Sequence, residues 1–90
     1  MFQVADEEVS KIVSLLDSLS SDFSVPRNVR SAIQLAKDKL EKSEDMAQGI
    51  SGAIYALDEM SNDINLPMHA RTMIWNILSE LEVLKEKHAN

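Results

Sequence analysis

Cysteine is absent from this 90-residue chain, and glycine and proline occur only twice each. The first absence excludes disulfides, thiolate chemistry and cysteine-bound zinc. The second argues against many short strands joined by turns and leaves long regular elements. No stretch approaches the apolar length that spans a bilayer. The first eight residues are acidic and lack a basic region followed by an apolar run, so no secretory leader is expected. A secreted domain this small would need staples that the composition does not provide, which points to a reducing cytoplasm.

What is present is ordinary for a globular chain. The hydrophobic share is 44% and does not indicate disorder. The length predicts one domain over residues 1–90, burying roughly 60–70% of its unfolded surface. The net charge of −6 favours solubility and disfavours bulk attraction to nucleic acid or anionic lipid. The charge is uneven. Residues 26–42 hold five basic and two acidic side chains, whereas residues 43–63 hold five acids and no base.

The organising signal is internal similarity. Ser20-Ser21-Asp22-Phe23-Ser24-Val25-Pro26 aligns with Ser61-Asn62-Asp63-Ile64-Asn65-Leu66-Pro67, 41 residues later. At the same offset Leu16 meets Leu57, Asp17 meets Asp58, Arg30 meets Arg71, Ile33 meets Ile74 and Leu40 meets Leu81. Each copy reads as helix, short loop, helix. Val9, Ile12, Val13, Leu16 and Leu19 recur at steps of three and four, one face of a helix. Val29, Ala32, Ile33, Ala36 and Leu40 do the same after the loop. In the second copy the stripes are Met46, Ile50, Ala53, Ile54, Leu57 and Met60, then Ala70, Met73 or Ile74, Ile77, Leu81 and Leu84.

Short polar side chains break each pattern by competing for backbone hydrogen bonds. Pro26 and Pro67 suit the first turn of the helices that follow. Ser43 is the expected N-cap of the third helix, with Glu44 and Asp45 in its first turn. The spacing thus predicts helices near 4–20, 26–42, 44–61 and 67–88. Loops this short make successive helices antiparallel. The predicted fold is all-α, an antiparallel four-helix bundle made of two repeated helical hairpins, about 4–42 and 44–88. Gly49 and Gly52, inside the third helix, mark the close approach of another helix; the alternative is a deliberately weak helix.

The paired loops ending in Val25-Pro26 and Leu66-Pro67, with nearly all of the chain around them, resemble a small archaeal group, uncharacterised protein family zero-one-four-seven. That resemblance implies a helical bundle in an archaeal cytoplasm and transfers no activity or site residue. A weaker likeness is to HEAT-type helical repeats, carried by the period and by Val29-Arg30 and Ala70-Arg71 after an Asp. The spacing from Asp to Arg and the proline before the second helix depart from that pattern, and two units make no solenoid.

Metal and nucleophile chemistry finds little support. A dimetal bundle needs Glu three residues before His, but Leu66 precedes His69 and Lys85 precedes His88 at that step. No phosphate-cradling glycine loop is present, and the serines sit in loops and caps where serine is structurally expected. No cofactor is expected, and the chain reads as a non-enzyme.

Three groups of residues remain. Asp22 and Asp63, recurring with Pro26 and Pro67, read as structural repeat positions that satisfy loop N–H groups or pair with Arg30 and Arg71. Trp75 breaks the repeat, since its counterpart is Gln34, and shares a side with Arg71. It reads either as an edge-of-core aromatic under the Arg71 stem or as an interface anchor. Arg27, Arg30 and Lys37 line one side of the second helix, a solvated face or a small phosphate patch without interleaved aromatics. Overall acidity favours a protein partner or self-association over the alternative, an accessory nucleic-acid-binding factor using the basic helix.

Overall fold

Helix-period apolar stripes separated by polar breakers leave a chain one economical solution, which is to turn every stripe inward. The computed structural model describes residues 4–88, with the backbone alone for 4–6. Part of the acidic start read above therefore lies outside the described residues. Four helices follow in order: α1 (Val4–Ser20), α2 (Arg27–Lys42), α3 (Met46–Met60) and α4 (Met68–His88). Each packs on the next, and α4 returns against α1 through a slighter seam. The result is a bundle of 39 × 21 × 18 Å.

The core draws on all four helices. Ile12, Leu16, Leu19, Val29, Ile33, Ala36, Ile50, Ala53, Leu57, Ala70, Ile74, Ile77, Leu81 and Leu84 are buried. Val13, Met46, Ile54, Met60 and Met73 pack around its edge, so Ile74 and not Met73 is the inward residue of α4. Two core residues come from the loops. Val25 and Leu66 precede the prolines and plug the top of the bundle.

Both loops are built by the same bonds. The N–H groups of Asp22 and Asp63 donate to Leu19 and Met60 carbonyls at 3.1 Å. Those of Val25 and Leu66 donate to Asp22 and Asp63 carbonyls, at 3.0 and 3.1 Å. The hydroxyls of Ser20 and Ser61 each donate to the carbonyl three residues back, at 2.9 Å.

Two expectations about helix starts are corrected. Pro26 and Pro67 sit just before α2 and α4 rather than in the first turn. Their carbonyls accept the first helical bonds, from Arg30 and Arg71 at 2.9 and 3.0 Å. Proline serves there because its ring fixes φ, at −57° for Pro26, which suits the extended entry to the helix. Ser43 is not the N-cap of α3. It ends α2, donating its N–H to Lys39, while Asp45 caps α3 by accepting from the Ala47 N–H at 3.0 Å. A carboxylate at the cap does the same work with more charge against the helix dipole. Gly49 then lies under the end of α2, where a Cβ would come 2.7 Å from the Lys39 carbonyl oxygen.

Candidate protein-docking surface

The short loops bring both Asp residues to one end of the bundle, where each serves its own loop and the opposite hairpin. Asp22 Oδ1 accepts from the Ser24 N–H and hydroxyl at 2.9 and 2.6 Å. Its Oδ2 lies 2.8 Å from His69 Nε2, at the start of α4. Asp63 Oδ1 accepts from the Asn65 N–H at 2.8 Å, and its Oδ2 from the Asn28 side-chain amide at 3.0 Å, at the start of α2. Asn28 and His69 are themselves 41 residues apart, so the two cross-links are equivalent. The hydrogen bonds from Ser24 and His69 hold the Asp22 carboxyl down to about 2. Those from Asn28 and Asn65 lower Asp63 too.

Both arginines brace their own loops through backbone oxygens, not through the Asp carboxylates. Arg30 Nε donates to the Val25 carbonyl at 3.1 Å and Arg71 Nη2 to the Asp63 carbonyl at 2.8 Å. Arg71 Nε is buried and has no partner among the described residues. The sequence missed Asn28 and His69 as cross-links, although the same 41-residue offset joins them.

The basic side of α2 is largely engaged within the chain. The Lys37 ammonium bonds Asp17 at 3.0 Å, which raises its pKa. Arg30, besides its bond to Val25, lies over the Phe23 ring, 5.3 Å from the centroid. Arg27 is exposed.

Trp75 is 51% exposed, and the cation–π contact found among the described residues is that of Arg30, not one between Arg71 and Trp75. Its neighbours explain its setting. The buried residues of α4 are Ala70, Ile74, Ile77, Leu81 and Leu84. At ~100° per residue, Met68, Thr72, Trp75, Ser79 and Val83 fall on the opposite side, facing outward. Met68 is 71% exposed and Val83 57%. The equivalent positions on α2 are Arg27, Ser31, Gln34, Asp38 and Lys42. Of these five positions three are apolar on α4 and none on α2, although Leu35, elsewhere on α2, is itself 49% exposed. Beside Val83 a shallow groove between α1 and α4 is lined by Glu8, Lys11, Ile12, Glu80 and Leu84.

Among the described residues no cluster of three or more His, Asp or Glu side chains could hold a metal ion. No described helix is long and apolar enough to cross a membrane.

The chain has close relatives among archaeal proteins. It is 48% identical over 81 residues to a UPF0147 protein of Methanocaldococcus jannaschii, covering 88% of this chain and 87% of that one. It is 40% identical over 82 residues to one from Archaeoglobus fulgidus, covering 91% and 94%. A crystal structure of a protein from the same uncharacterised family, from Thermoplasma acidophilum, matches with a TM-score of 0.84 at 39% identity, covering 92% of this chain and 99% of that one. The family model described as uncharacterised protein family UPF0147 matches residues 1–84, and the chain belongs to that archaeal family.

Proposed function

We propose that this protein is a small cytoplasmic protein-interaction module whose docking face is the outward side of α4. The observation that carries the reading is the contrast between α4 and α2. Met68, Trp75 and Val83 are exposed where α2 carries Arg27, Gln34 and Lys42. Phe23, Leu35, Tyr55 and Ile64 are exposed too, but singly on their elements, whereas Met68, Trp75 and Val83 share one face of α4, which supports a partner there. Trp is also the side chain most apt to anchor such a contact. The cysteine-free composition fits a reducing cytoplasm.

The nucleic-acid alternative draws less support. Phosphate binding needs cations free to displace counterions, whereas Lys37 and Arg30 are already committed to Asp17 and to Val25 with Phe23.

A photo-reactive benzophenone side chain placed at Ser79 on α4, and separately at Asp38 on α2, tests the reading in cells. Adducts are expected from position 79 and not from position 38. Equal labelling from both, or none from either, would remove α4 as the docking face.

A further inference from the structure

We infer that the outward face of α4 takes a basic amphipathic segment of another protein, with its apolar side chains on Trp75 and its cations on Glu82 and Glu86. This rests on the reading of α4 as a docking face and names the chemistry of its partner.

Charge selects the partner. At ~100° per residue, Glu82 and Glu86 fall within ~20° of Trp75, one to each side, about two and three turns further along α4. Met68 extends the same line the other way, about two turns before Trp75. From its start the line is therefore apolar first and acidic last. Both carboxylates are exposed, and neither has an ion pair among the described residues. Val83 lies beside them in a shallow hollow lined by Glu82, Glu86 and Lys87. Lys87 is already held by Glu8 of α1 at 3.2 Å. Lys85 stands ~80° round the helix from Trp75, on the flank opposite Val83, and Lys11 lies across the groove on α1.

The placement of the two acids disfavours the helix that bears them. Like charges four residues apart repel, and carboxylates in the last turns oppose the helix dipole. Cations brought by a partner relieve both. The cation at the other end of the face, Arg71, is engaged, since Nη2 is bound to the Asp63 carbonyl and Nε is buried. No Lys or Arg of the described residues lies over the Trp75 ring, so its π face is open to a basic side chain as well as to an aliphatic one. An amphipathic helix with apolar and basic side chains at steps of three and four matches such a line. The net charge of −6 draws a basic partner in and repels an acidic one, a second copy included. The apolar strip is narrow, so the contact is weak, and its reliance on charge makes it salt-sensitive.

The probe is a synthetic peptide of Leu and Lys patterned as an amphipathic helix, dye-labelled and read by anisotropy against the full chain. The same pattern in Leu and Glu is its counterpart. The Leu–Lys peptide should bind and the Leu–Glu peptide should not, and binding should blue-shift the emission of Trp75, the sole tryptophan. Glu82→Gln with Glu86→Gln should weaken binding about tenfold, as should Trp75→Ala, at unchanged helical circular dichroism. Glu41→Gln with Glu59→Gln removes as much charge from exposed positions on α2 and α3 and should leave binding unchanged.

Equal weakening by the two pairs of substitutions would overturn the proposal, because general acidity would then be the cause. Equal binding of the Leu–Glu peptide would overturn it too, as would no binding of the Leu–Lys peptide at a concentration on the order of 1 mM. The adduct formed in cells from position 79 separates this inference from the reading it rests on. A cross-linked segment of net positive charge, together with the peptide result, supports the basic partner. A neutral or acidic segment overturns it and leaves α4 as a docking face. No adduct removes both.

Discussion

At the scale of single residues, Asp22 makes the folded state sensitive to acid. Its carboxyl is held at about 2, below the ordinary 3.8, by bonds from Ser24 and His69. Folding therefore favours the ionised form. The stabilisation is complete above pH ~4, wanes as the pH falls and is gone below about 2. Thermal melts of wild type and Asp22→Asn should differ most near neutrality and converge toward pH ~2, and a constant gap would contradict this. The two glycines of α3 make a second pair of predictions. Gly49→Ala puts a methyl against the Lys39 carbonyl oxygen, backbone that cannot yield, and should destabilise by ~1–3 kcal/mol. Gly52→Ala meets only the Lys39 side chain, at 3.0 Å, which can swing away. Its helix-propensity gain of up to ~1 kcal/mol should then appear in chemical denaturation.

Caps were the hardest feature to read at this scale. Ser43 and Asp45, two residues apart, are both competent N-caps. The choice depends on where α2 ends: Ser43 bonds back to Lys39 and closes α2, which leaves Asp45 to open α3.

At the scale of elements, the loops cross-link the hairpins through Asn28 and His69. Asn fills the role in one copy, bonding Asp63 at 3.0 Å, so His69→Asn should keep most of the wild-type melting temperature. His69→Ala loses the donor to Asp22 and should lower it by roughly 2–5 °C. An equal loss in both variants would mean that the ring matters for more than its hydrogen bond. These partners were not legible in advance, because a bond between loops depends on how the hairpins dock. Trp75 was legible in part. The helical wheel places it off the core stripe, and the structure adds that Met68 and Val83 share its side while α2 stays polar there.

At the scale of the whole molecule, the apolar periodicity carried most of the fold. Helix boundaries read from the stripes fall within about two residues of those observed. The stripe residues account for most of the buried core. Val25 and Leu66 escaped the pattern because they lie in loops, where periodicity has no meaning, and only their place under the prolines buries them. A domain this size has little stability in reserve. Leu57→Ala, at a fully buried position, should cost ~2–5 kcal/mol against a total of ~5–15. A drop in the denaturation midpoint at unchanged slope would register it.

The exchanged bonds at the loop end tie the fates of the two halves. Each turn is completed by a side chain borrowed from the other hairpin's helix entry, so loosening one takes a contact from its neighbour. The amides of Ser24 and Asn65, 41 residues apart, should accordingly share one opening free energy in native-state hydrogen exchange.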